Sequence, residues 1–351
     1  MRAPSRSAPL GRRFASWLIS LAALAAASTL AAPGAALAWG STGHRMIGQL
    51  AVETLPDTLP AFLRSSDAAF FVGEASREPD RWRDSGKVHD TDHDPAHFVD
   101  EDDSGKVLGG PSLDALPPTR AAYETALRAV GADSWKAGYL PYSIAEGYQQ
   151  LVKDMTYWRM ETAALDFVTD PGHRAWLAAD RKAREALILR DLGVLGHFVG
   201  DGSQPLHVTV HFNGWGPFAN PKGYTTARIH VPFEGPFVFI HVSKAAVRAQ
   251  MSPLAPPAAP IEAWTAAYLA HAHDEVIPLY ELYKSGGFSA DPDKGAAFAA
   301  ARLAEGASAL RDLTVGAWRD SADGAVGYPA LRLSEVVDRK IDPYDVLFGL
   351  D

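Results

Sequence analysis

Apolar and polar positions alternate along this chain mostly with helical spacing. The stretch 184–201 shows it most plainly: Ile188, Leu192, Leu195 and Val199 recur at four, three and four residues and make one apolar stripe. Gly193, Gly196 and Gly200 lie to one side of that stripe, where a second helix can approach closely. The same periodicity predicts helices over about 43–54, 117–130, 143–168, 174–201, 236–250, 260–284, 294–320 and 328–338. Strand-like alternation is scarce, Phe237 to Val242 being the nearest candidate. The intervals 84–116 and 212–229 are rich in Gly, Pro and Asp and read as loops; loops this long in a compact domain usually carry function. Pro253 to Pro260 reads as a stiff connection between helices. The expectation is a single compact all-α, multi-helix domain.

The first residues follow another pattern. Arg2, Arg6, Arg12 and Arg13 precede an alanine-rich apolar run from Trp17 to Leu30, and Ala36-Leu37-Ala38 follows. A basic start, an apolar middle and an A-x-A end are the three parts of a secretory signal. The run is too short and alanine-rich for a membrane span. Residues 1–38 are therefore expected to be a cleaved signal, 39–351 the folded domain, and the mature protein periplasmic or secreted. Arg12-Arg13 also hints at twin-arginine export, although the residues after it fit poorly.

Two bulk properties narrow the chemistry. The chain has no cysteine, so covalent staples are excluded and any staple must be a metal ion. Its net charge of −9, more acidic still once the signal arginines are lost, opposes a basic groove for duplex nucleic acid. Bound cations would reverse the sign locally. No feature points to an obligate protein partner.

Histidines and carboxylates supply the candidate site. His197 and Asp201 are four apart and share a helix face, which helical-wheel geometry puts roughly opposite the apolar stripe. Pro205 ends the regular helix and lets His207 turn back toward them. His230 and Glu234 are again four apart; Pro232 between them is tolerable only in a helix's first turn. Each pair alone is more often hydrogen-bonded or solvated than metal-bound. His97 reads equally as a partly buried loop residue, and His44 as a cap or surface residue. His89 and His93 read as solvated loop residues, and His173 as part of a helix start. His211, His241, His271 and His273 read as hydrogen-bonding groups at helix surfaces or in the core. What points to metal is the joint occurrence of the first set in a chain without cysteine.

Taken in order, Trp39-Gly-Ser-Thr-Gly-His44, Glu78-Pro-Asp80-Arg-Trp-Arg83, His97-Phe-Val-Asp100, His197-x3-Asp201-x5-His207 and His230-x3-Glu234 resemble the S-one/P-one nuclease family. Zinc-dependent phospholipases C share that family's fold and ligand set. The likeness runs from Trp39 to about Glu234; the C-terminal helices match only in general character. It implies the family's all-α fold and three Zn2+ ions. Asp80, His97, His197 and Asp201 would hold the first, and His207, His230 and Glu234 the second. The third would take the free amine and carbonyl of Trp39, with His44 and a bridging Asp201. The family has Asp or Glu where Glu234 stands, and the cysteines of its fungal members are missing here. A free α-amine titrates at about 7.7–8.0 and can coordinate, whereas a peptide nitrogen cannot, so signal removal would complete the third site.

The resemblance implies hydrolysis of phosphodiester bonds. Asp80 would orient the attacking water or accept its proton, Arg83 would clamp the phosphate, Phe98 would stack on a base and Asp100 would read its edge. The expected substrates are single-stranded DNA and RNA, cut to 5′-nucleotides, together with 3′-nucleotides. The lipases carry a similar His-Phe-x-Asp stretch, so phospholipid headgroups are the alternative substrate. The wording Gln204-Pro205-Leu206-His207 and the Asn213-Gly214-Trp215 loop are more like the nucleases, although Trp215 also reads as a core or lipid-facing residue. No basic amphipathic helix suggests membrane docking. A third reading is a secreted helical binding protein whose metals are structural.

Overall fold

Ser65, Thr119 and Asp170 start helices in the same way. Their side-chain oxygens accept the main-chain N–H of Ala68 at 3.0 Å, Ala122 at 3.2 Å and His173 at 2.9 Å. The computed structural model describes residues 39–349; the signal expected at 1–38 lies outside them. The main helices are α1 (Gly40–Glu53), α2 (Ser66–Ala75), α3 (Arg120–Ala129), α4 (Leu140–Ala164), α5 (Pro171–Ser203), α6 (Ile261–Asp274), α7 (Val276–Lys284) and α8 (Pro292–Asp320). Named strands among the described residues are confined to one antiparallel pair, Ala325–Val326 against Leu331–Arg332. No helix among them is long and apolar enough to cross a membrane.

Several boundaries differ from expectation, each for a local reason. Proline breaks two predicted helices. Pro236 has no N–H to donate, and Phe233–Phe237 widens into a π turn before the short helix Val238–His241. The strand candidate Phe237 to Val242 is thus largely helical. Pro278 falls in the first turn of α7, so the segment 260–284 divides at Glu275. The predicted helix at 328–338 begins only at Leu333, after the strand pair. Helix α2 was not predicted: its apolar run is continuous, with Phe70 and Phe71 left exposed, and shows no clean stripe. The interval 84–116 also contains a helical turn, Lys87–His93, that the Asp-rich sequence does not announce.

The described residues belong to one compact unit, and α5 is its central element. It packs against α1, α2, α4, α6 and α8. Ile188, Leu192, Leu195 and Val199 are fully buried, as the stripe requires. The three glycines beside it do what their lack of a Cβ allows. A Cβ at Gly193 would stand 2.4 Å from that of Ala75, one at Gly196 2.8 Å from Leu310, and one at Gly200 3.0 Å from His44 Nδ1. Helices α2, α8 and α1 can therefore close on three faces of α5. The C-terminal half of α5 is consequently buried almost all round, and the face opposite the stripe meets protein instead of water. That face carries His197 and Asp201.

Candidate metal centre

Three ligand groups converge among the described residues: His44 with His197 and Asp201; Asp80 with His97 and His197; His207 with His230 and Glu234. Within each group the potential ligand atoms lie within 4.8 Å of one another. His44 comes from α1, and Asp80 from the short helix Glu78–Arg81. His97 ends the 3-10 turn Asp94–His97, and His207 ends Pro205–His207. Pro205 stops α5 as expected, and Pro232 occupies the first turn of the helical segment carrying His230 and Glu234.

Backbone carbonyls fix the imidazole tautomers. His197 Nδ1 donates to Ser76 O at 2.9 Å and His207 Nδ1 donates to His97 O at 2.7 Å, so each Nε2 presents a lone pair to its group. His197 Nε2 lies 2.9 Å from His97 Nδ1 and 3.3 Å from Asp201 Oδ2. Asp201 faces two ways: Oδ2 is 3.0 Å from His97 Nδ1, while Oδ1 is 3.5 Å from His44 Nε2. In the third group His207 Nε2 and His230 Nε2 face each other at 3.0 Å, with Glu234 Oε2 2.9 Å from the latter. Gln204 Nε2 donates to that same oxygen at 3.1 Å and orients the carboxylate.

This arrangement fits metal ions. Asp80 Oδ1, Asp201 Oδ1, His230 Nδ1 and Glu234 Oε1 are buried and accept or donate no hydrogen bond. Burial lowers the pKa of His97 far below its ordinary value and that of His197 to about 4, which keeps both rings in the neutral, ligating form. Burial also raises Asp80, and raises Asp201 strongly, so a cation seated beside them would favour the ionised form of both. Glu234 is held low instead: burial pushes it up, but His230 and His207 together outweigh that. Nitrogen and oxygen donors without sulfur, in groups of three, suit a divalent transition-metal ion.

Trp39 adjoins the same place. Its buried indole Nε1 donates to Gly200 O at 2.8 Å and to Ser203 Oγ at 3.0 Å, on the turn of α5 that bears Asp201. Its carbonyl accepts Gly43 N at 3.1 Å, and Gly40 packs against the backbone of Glu234. The expected amine ligand depends on cleavage after Ala38, which lies outside the described residues.

The remaining candidates divide. Arg83 Nε stands 3.4 Å from Asp80 Oδ1, at the edge of the centre. Asp100 lines a pocket of about 320 Å³ with Phe212, Asn213 and Phe218, and burial lifts its carboxyl well above the usual range. Asn213 Oδ1 accepts His230 N at 3.3 Å, which ties this pocket to the third ligand group. Phe98 is half-buried and packs on Gly138, outside the lining of that pocket. Trp215 is a core residue, stacked on His211 at 3.8 Å. His211 in turn bridges Trp215 O at 2.9 Å and Asp103 at 2.8 Å. Sequence spacing does not reveal the orienting roles of Ser76 and Gln204; one acts through its main chain, and the other meets its partner thirty residues on. No protein-family model, curated protein or solved structure matches the chain.

Proposed function

We propose that the chain is an exported zinc-dependent phosphodiester hydrolase of the S-one/P-one nuclease type, holding three Zn2+ and acting on single-stranded DNA and RNA. The observation that carries this is the convergence of His44, Asp80, His97, His197, Asp201, His207, His230 and Glu234 from scattered segments into three adjoining groups. In this reading Asp201 would contribute to two of the metal sites, and the amine of Trp39, exposed by cleavage after Ala38, would complete one of them. Zinc bound there lowers the pKa of coordinated water to about 7 and neutralises charge on phosphoryl oxygens. Asp80 orients the attacking water and takes its proton, and Arg83, beside it, holds a phosphate oxygen.

The Asp100 pocket favours a nucleic-acid substrate over a lipid headgroup. Burial favours the protonated form of its carboxyl, which would donate as well as accept, the Asn213 amide lies near, and Phe212 and Phe218 offer aromatic surface. An unpaired base asks for both a stacking face and a hydrogen-bonded edge. The test uses protein beginning at Trp39, assayed on single-stranded DNA, RNA, a 3′-mononucleotide and phosphatidylcholine, each with and without chelator. Chelator-sensitive cleavage of the nucleic acids is expected. Turnover of lipid with intact nucleic acid would make it a phospholipase C, and full metal occupancy with no turnover would make it a binding protein.

A further inference from the structure

The helical turn Lys87–His93 sets His89 and His93 four residues apart, on one face. Their rings lie face to face, with centroids 4.0 Å apart and planes within 4° of parallel. Each Nδ1 is already engaged. His93 Nδ1 donates to His89 O at 2.9 Å, and His89 Nδ1 lies 3.4 Å from Asp90 Oδ1. Asp90 is itself held, since its two carboxylate oxygens accept Ser85 N at 3.2 Å and Gly86 N at 3.3 Å. A carbonyl and a carboxylate can only accept, so the ring proton sits on Nδ1 in both histidines. Each Nε2 then keeps a lone pair, and neither makes a hydrogen bond among the described residues.

A fixed tautomer, an oriented ring and a carboxylate or carbonyl behind it are the features of a metal-ligating histidine. The pair stands apart from the three groups of the buried centre. It is also open to solvent: the His89 side chain keeps 35% of its exposure, and His93 is half-buried. Carboxylates outnumber cations around it. From 84 to 94 the chain carries four aspartates against one lysine. The pocket that His93 lines adds Glu146 and Asp191, against Arg120 and Arg190. Arg83 acts on Asp94 from one side and meets Asp80 on the other.

We infer that His89 and His93 form a separate, solvent-exposed site for one divalent transition-metal ion, with water filling its remaining positions. Two imidazoles and water suit the late first-row ions, and the general order of affinity puts Cu2+ ahead of Ni2+ and Zn2+. Held by two side chains only, this ion exchanges more readily than one in the buried centre. The site stands whether or not the hydrolase reading does.

The experiment takes protein beginning at Trp39, loads it with zinc, removes the excess and titrates it with Ni2+ in a calorimeter, with zinc content followed throughout. One further ion per chain is expected. His89→Ala and His93→Ala should each weaken its binding at least about tenfold and leave the zinc content and the unfolding temperature unchanged. Trp82 stands edge-on to both rings, 6.4 Å from His89 and 5.8 Å from His93. One equivalent of Cu2+ should therefore quench part of the tryptophan fluorescence, and Trp82→Phe should remove that part while the ion still binds. The Cu2+ resonance spectrum should show two coupled ring nitrogens in wild type and one in each alanine variant. The site is overturned if no further ion binds, or if both alanine variants bind it as tightly as wild type does.

Discussion

Asp201 reaches His44 with one carboxylate oxygen, at 3.5 Å, and His97, of the neighbouring group, with the other, at 3.0 Å. A single side chain thereby belongs to two ligand environments, and an amide in its place would keep the shape while losing the charge. Asp201→Asn is expected to abolish phosphodiester turnover and to weaken metal binding by at least about a hundredfold, since even partners that only orient a ligand cost 10–100-fold. Thermal unfolding with and without chelator checks it: wild type should lose stability on chelation, and the variant should already resemble the stripped protein. Elemental analysis should find three zinc ions per wild-type chain. A variant with undiminished metal content would remove the bridging role.

The start of the folded domain allows a second prediction. Trp39 is pinned to the turn of α5 that carries Asp201. Protein beginning at Trp39 should be active, whereas the same protein with one added residue before Trp39 should lose most activity and one metal ion. Mass spectrometry of the intact N-terminus alongside metal counting reads this directly; equal activity of the two forms would dismiss the amine as a ligand.

Gly200 lets α5 and α1 meet. A methyl group there would lie 3.0 Å from both His44 Nδ1 and Ile47 Cδ1, so Gly200→Ala must displace those side chains by a few tenths of an ångström. The expected cost is about 1–3 kcal/mol of stability, the range for overpacking a filled core, with a larger proportional loss of metal affinity. Denaturant titration of the stripped and loaded protein separates the two; a variant as stable and as well metallated as wild type would show that this contact yields easily.

Glu161 predicts a pH dependence outside the centre. It is fully buried, and burial, with the neighbouring Asp180 second, lifts its carboxyl from 4.5 to about 9. Between those values the folded protein holds a proton that the unfolded chain releases. Stability therefore falls as pH rises through that window. Glu161→Gln removes the proton linkage and should flatten the curve, with a gain on the order of 2 kcal/mol near pH 8. Thermal unfolding from pH 5 to pH 9 tests this, and parallel curves for the two proteins would contradict it.

Helical character and the groups of the centre were legible wherever a residue's role follows from spacing. His197 and Asp201, four apart on a regular helix, could be placed on one face, Pro205 announced the turn that brings His207 back, and Pro232 marked the first turn of the helical segment that carries His230 and Glu234. Helix α2 escaped because exposed Phe70 and Phe71 blur its stripe, and its end supplies the Ser76 carbonyl that fixes His197. The face of α5 opposite the stripe looked polar because it bears His197 and Asp201, not because water lies against it. Trp82, Tyr139 and Phe198 line one pocket from three segments far apart in sequence, and no local pattern foretells that meeting.

His44, His197 and Asp201 have no solvent exposure at all. Ions seated among them would be reached from the side of Asp80 and Arg83, whose side chains keep 12% and 19% of their exposure, so exchange with the medium would share that side with the substrate. A bound phosphate would then slow the loss of metal into metal-free buffer, because it would cover the side from which the buried ligands are approached.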